Sequence, residues 1–140
     1  MKPGLGVGVM IIKEGKKLLG LRNPNKEKAS SELQGQGTWT MPGGKVEFME
    51  KLVDAAKREL EEELGIRDIK YKKVDTIKFP YNNYIFNVFY SNTIVDINLL
   101  KLQHDEVIKV KWYTKEEILE LIENDMIPRG YAYILKKYMK

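Results

Sequence analysis

The sequence predicts an α/β fold in which a mixed central sheet carries helices on both faces. Three observations point there. Strand-like segments occur on both sides of one central helix, and further helical stretches close the chain. No internal repeat or linker interrupts this order. At 140 residues the chain can bury one ordinary core, so a single domain over residues 1–140 is expected.

Each element has a local cause. Leu5, Val7, Val9 and Ile11 alternate with Gly6, Gly8, Met10 and Ile12, which is the period of a strand. Gly6 and Gly8 share one face and leave room for close approach by a neighbouring element. "KEGKK" turns the chain, and "KLLGLR" returns as a second strand. From Asn23 to Gly37 the chain is polar and irregular, the kind of segment that carries function or mobility. "TWTMPGG" reads as a short extended piece closed by Pro42, Gly43 and Gly44. A helix follows from about Glu50 to Leu64, stopped by Gly65. "IKYKKVDTIKF", "YIFNVFYSNTIV" and "EVIKVKWY" have strand composition. Thr114 and Glu117 form a capping box opening a helix through "EEILELIEN", and "GYAYILKKYM" is a last amphipathic helix.

Composition narrows the function classes. With 43% hydrophobic and 31% charged residues, this is no disordered chain. No apolar run approaches the roughly 20 residues that span a bilayer. The N-terminus "MKPGLGVGVMII" is broken by glycines and lacks a signal-peptide cleavage site. The absence of cysteine removes disulfides and thiolate metal sites and fits a cytoplasmic location. A net charge of +4 on scattered lysines suits recruitment of a small anion and makes no nucleic-acid stripe.

The central helix poses the chemical question. "RELEEELGI" crowds Glu59, Glu61, Glu62 and Glu63 together, although like charges one turn apart destabilise a helix by about 0.2–0.5 kcal/mol per pair. At roughly 100° per residue, Leu52, Val53, Ala56, Leu60 and Leu64 define the buried stripe. Glu63 falls inside that stripe, Glu59 at its edge, Glu62 on the flank and Glu61 outside. A partly buried carboxylate without a partner is costly, and neighbouring carboxylates hold protons on one another. Two readings stand on geometry alone: a helix merely rich in Glu, and a divalent-cation site. Mg2+ and Mn2+ take carboxylate oxygens together with substrate phosphates. "PGGKVEF" adds bare backbone just before the helix, either an ordinary Pro-Gly turn or a carbonyl within reach of the same ion.

Together these residues resemble the Nudix hydrolase signature, Gly-x5-Glu-x7-Arg-Glu-U-x-Glu-Glu-x-Gly-U, where U is aliphatic. Residues 44–66 match every fixed position through Gly44, Glu50, Arg58, Glu59, Leu60, Glu62, Glu63, Gly65 and Ile66. The glycine-rich first strand, "LLGLR", "WTMPGGKVEF" and the "VKWYTKEEI" junction are similar to the MutT-like nucleoside triphosphate pyrophosphohydrolase branch. The resemblance implies an α/β/α sandwich and Mg2+- or Mn2+-dependent hydrolysis of a nucleoside diphosphate linked to another group. It implies Glu59, Glu62 and Glu63 as catalytic metal ligands, completed by the backbone carbonyl of Gly43. Arg58 then holds the glutamates through charge-assisted bonds, and Glu50 pairs with Arg58 at the helix start. Glu47 fits the extended loop pattern. MutT-like relatives use a loop glutamate outside the box as ligand or base. Glu106 in "QHDEV" is that candidate here, with Asp105 behind it and His104 expected to be exposed.

The substrate must be gripped by residues outside the box. Arg22, Trp39, Phe79 and Tyr84 are the candidates, with Tyr81 and Phe86 completing a stacking set, although aromatics at strand spacing are more often core. Pro80 matches an ADP-ribose-hydrolysing branch, whereas Tyr81 and Tyr84 match dinucleoside-polyphosphate hydrolases, so this segment does not discriminate. Compact length and flanking segments favour a (d)NTP, oxidised forms included, cleaved to a monophosphate and pyrophosphate. ADP-ribose or dinucleoside-polyphosphate hydrolysis is the alternative, followed by a non-catalytic nucleotide-binding domain. A nucleotide is the expected partner, without membrane or nucleic acid, and a homodimer is the assembly relatives often form.

Overall fold

A computed structural model describes residues 4–24, 37–79, 83–93, 95–103 and 105–139. The elements are β1 (Leu5–Lys13), β2 (Lys16–Arg22), β3 (Trp39–Thr40), β4 (Gly43–Lys45), α1 (Leu52–Leu64), β5 (Lys72–Lys78), β6 (Ile85–Ser91), β7 (Val107–Tyr113), α2 (Lys115–Glu123) and α3 (Arg129–Lys137). β1 is the axis of the sheet. One of its edges runs parallel to β6, from Leu5 opposite Ile85 to Ile11 opposite Ser91. The other edge is shared, with Gly6 to Gly8 pairing with β4 and Ile12 and Lys13 pairing with β2. β2 continues to β3 and β7, and β5 closes against β6, all antiparallel. The expected mixed sheet is present.

The alternation in β1 sorts the core into two layers. Val7, Val9 and Ile11 pack with Ala55, Ala56, Leu60 and Leu64 of α1. Met10 of β1 and Leu19 of β2 pack on the opposite side with Ile118 of α2 and Ile134 and Leu135 of α3. The sheet is therefore covered on both faces, as period-2 alternation with both sides apolar requires. Gly6 and Gly8 do admit a neighbour: Tyr84 lies over Gly6, and a Cβ on Gly8 would stand 2.5 Å from the Phe86 ring. The β1–β2 turn has Glu14 and Gly15 at φ 51° and 77°, the mirror-image geometry that suits a two-residue hairpin.

Where boundaries differ from expectation, side chains capture backbone groups. α1 starts at Leu52 rather than Glu50, because Glu50 belongs to a preceding turn. Its amide reaches the Glu47 carbonyl at 3.1 Å and its carboxylate accepts from the Glu47 amide at 3.0 Å. β6 ends at Ser91 instead of running to Val95: Ser91 Oγ accepts from the Thr93 amide at 3.3 Å, and Thr93 Oγ1 accepts from the Lys70 amide at 3.1 Å. "TWTMPGG" divides into β3 and β4, which pair with different strands. Gly65 ends α1 at φ 68°, its amide returning to the Glu61 carbonyl. The Thr114–Glu117 capping box closes in both directions, at 2.9 and 3.2 Å. No helix among the described residues is long and apolar enough to cross a membrane.

Candidate active site

The C-terminal half of α1 turns Glu59 and Glu63 toward the place where β1 changes partners from β4 to β2. Glu63 is only 1% exposed. Its Oε2 accepts from Arg22 Nη1 of β2 at 2.7 Å, and its Oε1 accepts from the Gly43 amide of β4 at 3.1 Å. Both glycines of the β4 entrance are needed there. Gly43 has φ 155°, and a Cβ on it would run into the Val7 carbonyl. A Cβ on Gly44 would stand 2.5 Å from the Glu59 carboxylate.

Arg58 organises the open side. Its Nε and Nη2 grip both oxygens of Glu50 at 2.8 and 3.0 Å, and Nη2 also reaches the Lys45 carbonyl at 2.8 Å. Nη1 donates to Glu59 Oε1 at 2.7 Å and more loosely to Glu62 at 3.3 Å. Glu47, largely exposed, stands 3.7 Å from the same nitrogen. The bidentate Glu50–Arg58 pair fixes the guanidinium plane, so Glu59 is oriented by a residue that is itself held.

A third carboxylate comes from the loop before β7. The Lys101 and Gln103 amides donate to the Leu64 and Glu63 carbonyls at 3.0 and 2.8 Å, capping the end of α1. The Glu106 amide bonds back to the Gln103 carbonyl at 2.9 Å. One oxygen each of Glu59, Glu63 and Glu106 then lies within 4.8 Å of the others. Burial pushes the Glu59 and Glu63 carboxyls up to about 7, in spite of Arg58 beside Glu59 and Arg22 beside Glu63. A set of hard oxygen donors that water solvates poorly fits a divalent cation.

Expectation and structure differ in detail. Of the box glutamates, Glu59 and Glu63 converge with Glu106, whereas the Glu62 side chain is 59% exposed and stands outside that group. At Gly43 the amide donates to Glu63 Oε1, beside the carbonyl expected as a metal donor. Arg22, a substrate-binding candidate, is instead buried against Glu63. Trp39, Phe79, Tyr84 and Phe86 all belong to the core beneath α2 and α3. They pack on each other and on neighbours: Trp39 and Tyr113 are T-shaped at 4.9 Å, Phe79 is stacked on Phe86 at 6.3 Å, and Tyr84 is tilted on Phe86 at 6.5 Å. That placement corrects the stacking expectation, for strands covered on both faces bury aromatics of either parity. Asp105 is exposed, and Pro80, Tyr81 and His104 lie outside the described residues. The Arg22–Glu63 pair was missed. Its one sequence signal was a cation directly after the apolar run from Leu18 to Leu21.

Comparison with known proteins identifies the fold and the family. The chain is 38% identical over 77 residues to the uncharacterized Nudix hydrolase YfcD of Escherichia coli K12, a stretch covering 54% of this chain and 42% of that protein. It thus spans less than half the length of that curated relative. The structure superposes on a MutT protein from Methanosarcina mazei Go1 with TM-score 0.70 and 29% identity, covering 97% of this chain and 93% of that one. DR0079 from Deinococcus radiodurans shares the fold at TM-score 0.80 with 16% identity, over 98% of this chain and 83% of its own. The NUDIX domain model matches residues 2–136, and the chain belongs to the Nudix family.

Proposed function

We propose that this chain hydrolyses the pyrophosphate linkage of a nucleoside diphosphate derivative with the aid of Mg2+ or Mn2+. The substrate we assign is a nucleoside triphosphate, oxidised forms included, cleaved to the monophosphate and pyrophosphate. One observation carries the reading: the convergence of Glu59, Glu63 and Glu106 where α1 meets the sheet. These three carboxylates would hold the ion. Bound there, it would neutralise phosphate charge and acidify a coordinated water.

The chain's own residues do the rest. Arg58 keeps Glu59 in its rotamer from the open side. Arg22 and the Gly43 amide fix both oxygens of Glu63 from the sheet side. Glu62, exposed on the neighbouring flank, is the box carboxylate we assign to take the proton of the attacking water. The resemblance of the flanking segments to the MutT-like triphosphate branch is the support for a triphosphate over ADP-ribose.

Product analysis tests the assignment. Canonical and oxidised nucleoside triphosphates, ADP-ribose and dinucleoside polyphosphates are each incubated with enzyme and Mg2+ or Mn2+. A monophosphate plus pyrophosphate from triphosphates is the expected result. AMP plus ribose 5-phosphate as the preferred products would replace the substrate class. No cleavage of any member of the panel would leave a nucleotide-binding domain without catalysis.

A further inference from the structure

β2 ends on Arg22, a cation only 6% exposed. Its amide and carbonyl are both held by the segment that leads into β3: the amide donates to the Thr38 carbonyl at 2.8 Å, and the carbonyl accepts from the Gly37 amide at 3.0 Å. The following amide, of Asn23, donates to the Glu106 carbonyl at 2.8 Å. The β2–β7 ladder shifts register between Leu21 and Arg22, and irregularities of this kind re-aim a side chain. The guanidinium consequently starts from a fixed origin. It reaches Glu63 Oε2 at 2.7 Å and Glu106 Oε2 at 3.9 Å. Two of the three clustered carboxylates share this one cation, while Arg58 serves the third, Glu59.

We infer that Arg22 is a positioning residue that serves as the built-in countercharge of the ion site, holding Glu63 and Glu106 while no ion is bound and keeping affinity for a bare divalent cation low. The inference rests on the proposed ion-dependent function. Arg58 is shared among Glu50, Glu59 and Glu62, and Arg22 cancels one of the three formal negative charges of Glu59, Glu63 and Glu106. A polyphosphate supplies the negative charge that Arg22 cancels, so ion and nucleotide fill the site together and each raises the other's affinity. The protein without nucleotide then holds its carboxylates in place without trapping metal.

The test is calorimetric titration with Mg2+ at mildly alkaline pH. It compares wild type, Arg22→Met and Arg22→Lys, with and without a nucleoside triphosphate analogue whose α,β-bridging oxygen is replaced by methylene. Without nucleotide, Arg22→Met should bind Mg2+ roughly tenfold or more tightly than wild type, because the countercharge is gone. Arg22→Lys should stay near wild type. The gain in Mg2+ affinity caused by the analogue should shrink in Arg22→Met. A purely structural Arg22 gives the opposite sign, since loosened carboxylates bind Mg2+ more weakly. Weaker or unchanged binding by folded Arg22→Met overturns the inference. If that variant does not fold by circular dichroism, wild type supplies the reading: the Arg22 Nε–H resonance should move as Mg2+ saturates the analogue complex, and an unmoved resonance overturns the inference. Wild type that binds no Mg2+ even with the analogue would instead overturn the proposed function itself.

Discussion

Glu62 and Glu63 are neighbours in sequence and opposites in circumstance. A rotation of roughly 100° per residue puts one on the flank of α1 and the other inside the buried stripe. The structure leaves the Glu62 side chain 59% exposed and that of Glu63 2% exposed. Isosteric amides separate their roles. Glu63→Gln sets an amide NH2 against one of the two donors that face Glu63, Arg22 Nη1 or the Gly43 amide, and should cost about 1–3 kcal/mol in urea unfolding in mild acid. Glu62→Gln should change stability by no more than about 0.5 kcal/mol while lowering kcat by roughly 100-fold or more. Full turnover by Glu62→Gln would remove its assignment as proton acceptor. The burial of Glu63 was legible because helical periodicity is local. Its pairing with Arg22, 41 positions away, was not, since only the strand order brings them together. Glu106 entered as an expectation from family resemblance rather than from spacing. What places it beside α1 is the capping of the helix by Lys101 and Gln103, which no local pattern announces.

At the scale of elements, signals carried within a few residues survived and signals that depended on pairing did not. The capping box of α2, the glycine stop of α1 and the β1–β2 turn were readable because each closes on its own neighbours. The split of "TWTMPGG" into two strands was not, because β3 and β4 find different partners. Thr114→Ala tests one readable signal. Loss of the cap should lower stability by about 1 kcal/mol, and kcat/KM should be unchanged because α2 packs on the face of the sheet away from α1. The turn that launches α1 offers a gain. Met49 occupies φ 64° and is 87% exposed, so its side chain contributes little packing where the backbone favours glycine. Met49→Gly should raise unfolding free energy by about 0.5–1 kcal/mol. A loss of stability would show that Met49 makes a compensating contact.

For the whole molecule, the carboxylates divide into two groups that pull stability in opposite directions. Hydrogen bonding to Arg58 holds Glu50 low, and the Lys137 contact holds Asp75 low. Their contributions are present above the usual carboxylate range and fade as acid protonates them. Glu59 and Glu63 are pushed up to about 7 by burial. Between the ordinary carboxyl value of 4.5 and about 7, the folded state therefore holds more protons than the unfolded chain. Stability from this buried pair is complete in mild acid and falls as pH rises through neutrality. Metal-free protein in a chelator should be most stable in mild acid and lose on the order of a few kcal/mol toward mildly alkaline pH. Adding Mg2+ or Mn2+ should flatten that slope, because an ion can take the place of the protons on the buried pair. Its stabilisation should be largest where the pair is ionised, reaching about 1.4 kcal/mol at tenfold excess over the dissociation constant. Thermal melts across pH, with and without the ion, read both effects. Parallel curves would mean that the ion does not bind at Glu59 and Glu63.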